Sequence, residues 1–440
     1  MNDNNSAGIK NSGLDFRFPG VKASDSTNPI IKVVGVGGGG CNAVGYMYRQ
    51  GIHDVSYLVC NTDAKSLNAS PVPNRLQFGD GLGAGNNPQV GREKAEASID
   101  EIRAMLNDGT KMVFITAGMG GGTGTGAGPV VARCAKEAGI LTVGIVTVPF
   151  KFEGEAKIDQ ALDGVEEIAK QVDALLVINN ERLREIYPEL SFISGFAKAD
   201  DTLCIAARSI AGIISMQGIM NLDFEDVKMV LCKGGVAVMS TAEAEGERRV
   251  TNAIEAALSS PLLNNNDIFN SKKVILRICF PEGLGGGRTK DATGEQKDDT
   301  SGTLKMEEMN EVTDFMKRFG KNVQAKFGID TDPTLGNKVR ITLLASGFKL
   351  KRPDESVDVR DEASQGQDEY EEQRKLRRQM YYPDKDSEPQ MRHSFRCHIF
   401  TDSELDNDAV IDMVADLPTH SRTSEEMKRI AACAASAVQD

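Results

Sequence analysis

The sequence predicts an α/β fold: a parallel, Rossmann-like sheet, a long central helix, and a second, smaller α+β domain. Three observations carry this expectation. From Ile30 to about Asn180, short apolar strands alternate with helical patterns, as in a mostly parallel sheet. Glycine-rich segments recur through that half, at 35–40, 81–85 and 118–128. A helical stripe of Leu203, Ala206, Ile210, Ile213, Ile214 and Gln217 then separates it from a second set of strands.

Taken in order, residues 1–29 are polar and rich in Gly, Asn and Ser, and read as a disordered arm. They have no basic start and no apolar run, so they do not read as a signal peptide. Residues 30–192 form the nucleotide-binding domain. Its strands are expected at 31–36, 55–60, 112–116, 141–148 and 174–178, and its helices near 41–50, 92–107, 129–138 and 155–172, with Pro129 in a first helical turn. Residues 193–227 hold the long helix, predicted over 193–219, and an acidic loop. The smaller domain, 228–348, has strands at 235–239, 274–280 and 339–345 and helices near 246–258 and 304–319. Within it, 283–303 is rich in Gly, Asp, Thr and Lys and reads as a mobile loop. Residues 349–395 lose hydrophobic periodicity and fill with charge, as a linker or a solvated helix does. Residues 396–440 form a tail with an amphipathic piece at 424–438.

The bulk numbers exclude several functions. At 440 residues and 40% hydrophobic content, sizeable cores are expected. A net charge of -13 argues against nucleic acid as a partner. No apolar run is long enough to insert in a membrane. The eight cysteines form no CxxC pair, so neither a zinc site nor a disulfide framework is signalled. Of four histidines only His53 precedes residue 390, which makes histidine-centred catalysis an improbable reading.

The glycine segments point to phosphate. Strand, glycine turn and helix N-terminus together present backbone N–H groups and a favourable dipole to an anion. Gly35, Gly37 and Gly40 satisfy a dinucleotide fingerprint, with Asp63 near the expected distance. Alone, that fits an NAD-dependent oxidoreductase as well as a mononucleotide site. The segments at 81–88 and 118–128 shift the balance toward a triphosphate, with Thr123 and Thr125 adding hydroxyl donors. No Walker A sequence is present. Beyond the long helix comes Asn221-Leu222-Asp223-Phe224-Glu225-Asp226-Val227. Asp223 and Asp226 share a helical face and suit a water or cation beside a phosphate. The same spacing also fits a plain helix start with Asp223 as N-cap.

These residues resemble the tubulin/FtsZ family of bacterial division GTPases. GGGTGTG at 120–126 is similar to the family signature, and the likeness continues through IKVVGVGGGGCNAV (31–44), NTDA (61–64), GAGNNPQVGR (83–92), PFKFEG (149–154), INNERL (178–183), NLDFEDV (221–227) and SSPLL (259–263). It spans about 30–348, and the loops and tail resemble those of Bacteroidetes members. The resemblance implies binding and hydrolysis of GTP to GDP with Mg²⁺. Gly37, Gly38, Gly39 and Gly40, with Gly121, Gly122, Thr123, Gly124, Thr125 and Gly126, are expected around the phosphates. Ala84 and Gly85 are expected at the γ-phosphate, Asn42 beside the first turn, Glu153 at the ribose and Lys157 near the nucleotide, where the family usually has Arg. Phe196 is expected to stack on the base, and Asn180 and Asp201 to read guanine. Asp223, Asp226 and Asn221 are expected to complete the site of the next subunit in a head-to-tail homopolymer, so that assembly activates hydrolysis.

Family likeness further implies a cytoplasmic ring at the division site, on the inner face of the cell membrane. Membrane-tethered adaptors are expected at the tail, where 408–422 offers Ile411, Leu417 and Pro418 as anchors. The approach to the 81–88 segment is shorter than the family's. A nucleotide-gated scaffold with little hydrolysis is the alternative expectation, and an NAD-linked oxidoreductase a distant one.

Overall fold

Glycine and β-branched residues place the strands, and the strand order places the ligand crevice. The computed structural model describes residues 29–52, 54–215, 218–260, 268–281, 303–320, 323–348 and 367–382, and the backbone of 288–290 and 296–298. The expected tail anchors at 408–422 lie outside these residues. Contacts divide the chain into two units, 1–351 and 352–440.

In the first unit, β1 (Ile31–Val36), α1 (Gly37–Arg49), β2 (Val55–Asn61), α2 (Ala64–Ala69), β3 (Arg75–Gln77), α3 (Pro88–Glu96), α4 (Ile99–Leu106), β4 (Met112–Gly118), α5 (Gly122–Glu137), β5 (Leu141–Val148), α6 (Glu155–Gln171) and β6 (Ala174–Asn179) follow in order; the five expected strands are present, and α2 and β3 are additional. They are followed by α7 (Asn180–Ile186), α8 (Phe192–Ser215), α9 (Phe224–Leu231), β7 (Gly235–Ala244), α10 (Arg249–Leu258), β8 (Lys273–Phe280), β9 (Arg288–Lys290), β10 (Gln296–Asp298), α11 (Glu308–Met316), β11 (Gln324–Thr331) and β12 (Val339–Phe348). The second unit contributes α12 (Gln367–Tyr381), a charged helix where the sequence allowed a linker or a solvated helix.

One ten-stranded sheet runs β11-β8-β12-β7-β6-β5-β4-β1-β2-β3. From β3 to β7 every pairing is parallel. Strand β12 runs antiparallel to both β7 and β8, and the edge strand β11 is parallel to β8. The portion 3-2-1-4-5-6 reverses direction of winding between β1 and β4, and a ligand crevice belongs at the carboxyl ends of those two strands. Strands β1, β4, β5 and β6 are buried almost throughout, as strands covered by helices on both faces must be. One core lies between this sheet and α1, α8 and α9. A second, around Val250, Leu276, Phe315 and Leu343, sits under α10 and α11. The two halves of the sheet join through only Ala174–Gly235 and Leu175–Val236.

Several boundaries differ from expectation. The helix predicted near 129–138 starts at Gly122, so most of the glycine signature is helix, and Pro129 lies in its interior. The helix predicted at 92–107 is two, broken at Ala97 and Ser98. Strands β3 and β11 were not foreseen, and the described parts of 283–303 pair as an antiparallel ribbon.

Candidate functional site

Two helices aim their N-termini at the crevice. Helix α1 begins directly at the end of β1, and α5 begins three residues after β4. No side chain caps either helix, and neither has an acidic residue in its first turn. Their first N–H groups and dipoles are therefore available to an anion.

Within the signature the glycines fall into two sets. A Cβ added at Gly38, Gly83, Gly85 or Gly121 would meet nothing within 4 Å, so these four border open space. A Cβ at Gly122, Gly124 or Gly126 would instead strike Ala84 Cβ at 2.9 Å, Gly118 O at 2.4 Å or Pro88 O at 1.9 Å. At Gly37 and Gly40 it would lie 2.7 Å from Gly124 N and 2.3 Å from Thr116 O, and at Gly39 3.3 Å from Gly118 Cα. The open set fits a phosphate cradle, while the closed set brings α1, α3, α5 and the loop at 79–87 close enough to form one. Gly120 has φ +98° and makes the turn between β4 and α5.

Side chains fasten these turns to one another. Thr125 is not an open hydroxyl, as expected, but buried, accepting from Gly120 N–H at 2.9 Å. Thr123 Oγ1 lies 2.7 Å from Thr62 Oγ1 at the end of β2. Gln160 on α6 donates to Gly120 O at 3.0 Å and Asn86 O at 3.3 Å, linking two of the glycine segments. Ala84 is buried, whereas Gly85 and Asn42 are exposed at the cradle. Lys94 donates to Asp80 Oδ1 at 2.5 Å and Gly83 O at 2.9 Å, and holds the Asp80 carboxyl below its usual range. Asp63, the candidate ribose partner of a dinucleotide, instead caps α2 by accepting from Lys65 N–H.

The base end is lined by α6, α7 and α8. Glu153 accepts from Phe150 N–H at 2.8 Å and pairs with Lys157 at 2.6 Å, so these two expected nucleotide contacts lie together. Phe196 packs edge-on against Phe150 at 5.1 Å and Phe192 at 5.3 Å, leaving part of its ring exposed. Asn180 is buried and its Oδ1 has no partner, which suits an incoming donor. Asp201 pairs with Lys198 at 2.9 Å and accepts from Tyr46 O–H at 3.2 Å. Thr62, Tyr46, Gln160 and Lys94 were missed in the sequence: Thr62 stands inside NTDA (61–64) but its partner is 61 residues on, and the other three lie outside the quoted motifs and act across a distance in the chain.

The acidic loop is elsewhere. It follows the far end of α8, whose 24 residues span about 36 Å. Asp223 is an N-cap, as the plainer reading had it. It forms a reciprocal capping box with Asp226: Asp223 Oδ1 accepts from Asp226 N–H at 2.9 Å and Asp226 Oδ2 from Asp223 N–H at 3.3 Å. Asp226 also pairs with Lys326 at 2.8 Å, which, with the Asp223 N–H, holds its carboxyl below the usual range. Asn221 Oδ1 accepts from Gly218 N–H at 2.6 Å, closing the loop on itself. The structure thus brings the glycine segments and base-end residues together, and sets Asn221, Asp223 and Asp226 apart from them.

Residues 30–188 fit the model of the Tubulin/FtsZ family GTPase domain, and 392–437 that of the FtsZ C-terminal region. The chain is 47% identical to the cell division protein FtsZ of Porphyromonas gingivalis, over 95% of this chain and 90% of that one. It is 39% identical to that of Wigglesworthia glossinidia brevipalpis, over 75% and 82%. Among solved structures, an empty FtsZ dimer from M. jannaschii superposes with a TM-score of 0.63 at 36% identity, covering 73% of this chain and 89% of that one. Among the described residues no helix is long and apolar enough to cross a membrane.

Proposed function

The chain belongs to the FtsZ family of tubulin-like GTPases, and from that membership we propose how its two ends share one reaction. The protein is a GTP-binding, GTP-hydrolysing division protein that polymerises with copies of itself. GTP lies in the crevice over β1 and β4. Its phosphates rest on the N-termini of α1 and α5 and beside Ala84 and Gly85, and its base lies between Phe196, Asn180 and Asp201. A carboxylate and an amide oxygen suit the N1–H and 2-amino donors of guanine.

One observation carries the reading: the acidic loop lies about a full helix length from the cradle, so Asp223 and Asp226 serve the nucleotide of the neighbouring subunit. There they orient water toward the terminal phosphate. Leu82 (86%) and Ile193 (80%) near the cradle and Ile219 (68%) beside the acidic loop are exposed and would be covered by a longitudinal contact. Such a contact is heterologous and does not close, so it builds filaments. Mg²⁺, when bound with the nucleotide, would neutralise charge on the phosphates. The filaments form a ring at the division site, inside the cell membrane, and the tail around Ile411, Leu417 and Pro418 binds membrane-tethered adaptors.

Asp226→Ala is expected to bind GTP and to sediment with a non-hydrolysable analogue, while phosphate release falls by about a hundredfold. Wild-type turnover per molecule rises with protein concentration. Normal turnover in the variant, or concentration-independent turnover in the wild type, would overturn the shared site. Assembly of the wild type without phosphate release would instead favour the nucleotide-gated scaffold.

A further inference from the structure

Strand β11 is the sheet's edge, and its free side carries the acidic loop. Met220 and Ile329 form an antiparallel bridge, with Met220 N–H to Ile329 O at 3.0 Å and the reverse bond at 3.1 Å. Three alternate residues of β11, Lys326, Gly328 and Asp330, share one face of the strand, and each meets a different residue of the loop segment. Asp330, buried in an ion pair with Arg277, fills the space beside Gly218, where an added Cβ would lie 1.7 Å from its Oδ1. Gly328 leaves room for Leu222, whose Cδ1 an added Cβ would meet at 2.5 Å. Lys326 reaches Asp226 Oδ1 at 2.8 Å. The loop is therefore laid along the strand at both its ends and its middle.

We propose that Lys326 is a positioning residue for the reaction: it fixes the direction in which Asp226 presents its carboxylate to the neighbouring subunit's nucleotide. This rests on the shared-site reading above. The capping box engages one oxygen of Asp226, and Lys326 engages the other, so the pair leaves the carboxylate a single orientation. The lysine side chain is 46% exposed, and an ion pair so exposed adds little to stability. Orientation is what such a contact can supply, and a small misplacement of a catalytic group is costly in rate. The same ammonium draws the Asp226 carboxyl below its usual pKa range, chiefly through its hydrogen bond. Sequence patterns gave no sign of this, because the two residues are a hundred positions apart and β11 itself was not foreseen.

The test uses the full chain with Lys326→Met, Lys326→Arg, Asp226→Ala and the Lys326→Met/Asp226→Ala double variant. GTP binding, sedimented polymer with a non-hydrolysable analogue, and phosphate release per sedimented subunit are read in parallel. Lys326→Met is expected to bind GTP and to sediment as the wild type does, while kcat falls by about tenfold with KM unchanged. Lys326→Arg restores most of the rate, and the double variant is no slower than Asp226→Ala alone. Wild-type kcat in Lys326→Met, beside an inactive Asp226→Ala, overturns the role of Lys326 and leaves the shared site standing. Loss of polymer in Lys326→Met with GTP still bound also overturns it, placing the lysine in the contact itself. Normal turnover in Asp226→Ala overturns the shared site and this inference with it.

Discussion

Gly126 shows how a residue read as a phosphate ligand can act through packing. Its missing side chain lets the Pro88 carbonyl of α3 rest directly on α5, 1.9 Å from where a Cβ would stand. Gly126→Ala forces backbone against backbone, and is expected to cost about 3 kcal/mol, read as a lower denaturant midpoint with an unchanged slope. Asp200 makes a second case. Burial pushes its carboxyl up to about 6, against the opposing pull of Arg49. The folded protein therefore holds this proton more tightly than the unfolded chain does. Its ionisation costs stability progressively as pH rises from about 4 through about 6, and costs nothing below that window. Asp200→Asn should thus stabilise the fold on the order of 2–3 kcal/mol near pH 7.5. Thermal unfolding should show that gain shrinking as the pH falls toward about 4. A gain independent of pH would refute the titration. At this scale the sequence singles out the glycines, Asn180 and the acidic pair through their family motifs, and Asp201 through the wider resemblance alone. It does not separate cradle from packing, because both need the same missing Cβ.

Among the elements, the strands with continuous apolar runs were legible to within a residue or two, since burial on both faces leaves no other composition. Helix α5 was placed seven residues late because glycine and threonine are poor helix formers; here their helix is held by packing, with Thr125 tying its first turns to Gly120. Edge strand β11 was missed although Ala325, Phe327 and Ile329 alternate with Lys326, Gly328 and Asp330 along it. The run is short, and the glycine inside it weakens a strand reading, while its polar face serves the acidic loop. The loop at 79–83 is held by a comparable fastening. The Lys94 stem runs under Gly79 and its amine bonds Asp80 and Gly83 O, immediately before Ala84 and Gly85. Lys94→Met should loosen that loop and raise the GTP dissociation constant by about fivefold, measured by equilibrium binding, while the fold stays intact. An unchanged constant would show that the loop is held without it.

For the whole molecule, the sequence led to a nucleotide domain, a helix and a smaller domain, and among the described residues one ten-stranded sheet runs through both domains. Its joint at β6 and β7 is only two residue pairs wide, while α8 runs from Phe192, beside the cradle's aromatic cluster, to the approach of the acidic loop. That helix has a geometric consequence. In the head-to-tail polymer proposed above, every cradle would face the acidic loop of the next copy, and the axial repeat would be ruled off by the rod that separates the two within one copy. Each helical turn added to or taken from that rod, about 5.4 Å along its own axis, would change the spacing by the component of that length along the filament. The proposed filament would thus take its spacing from a single element of its monomer.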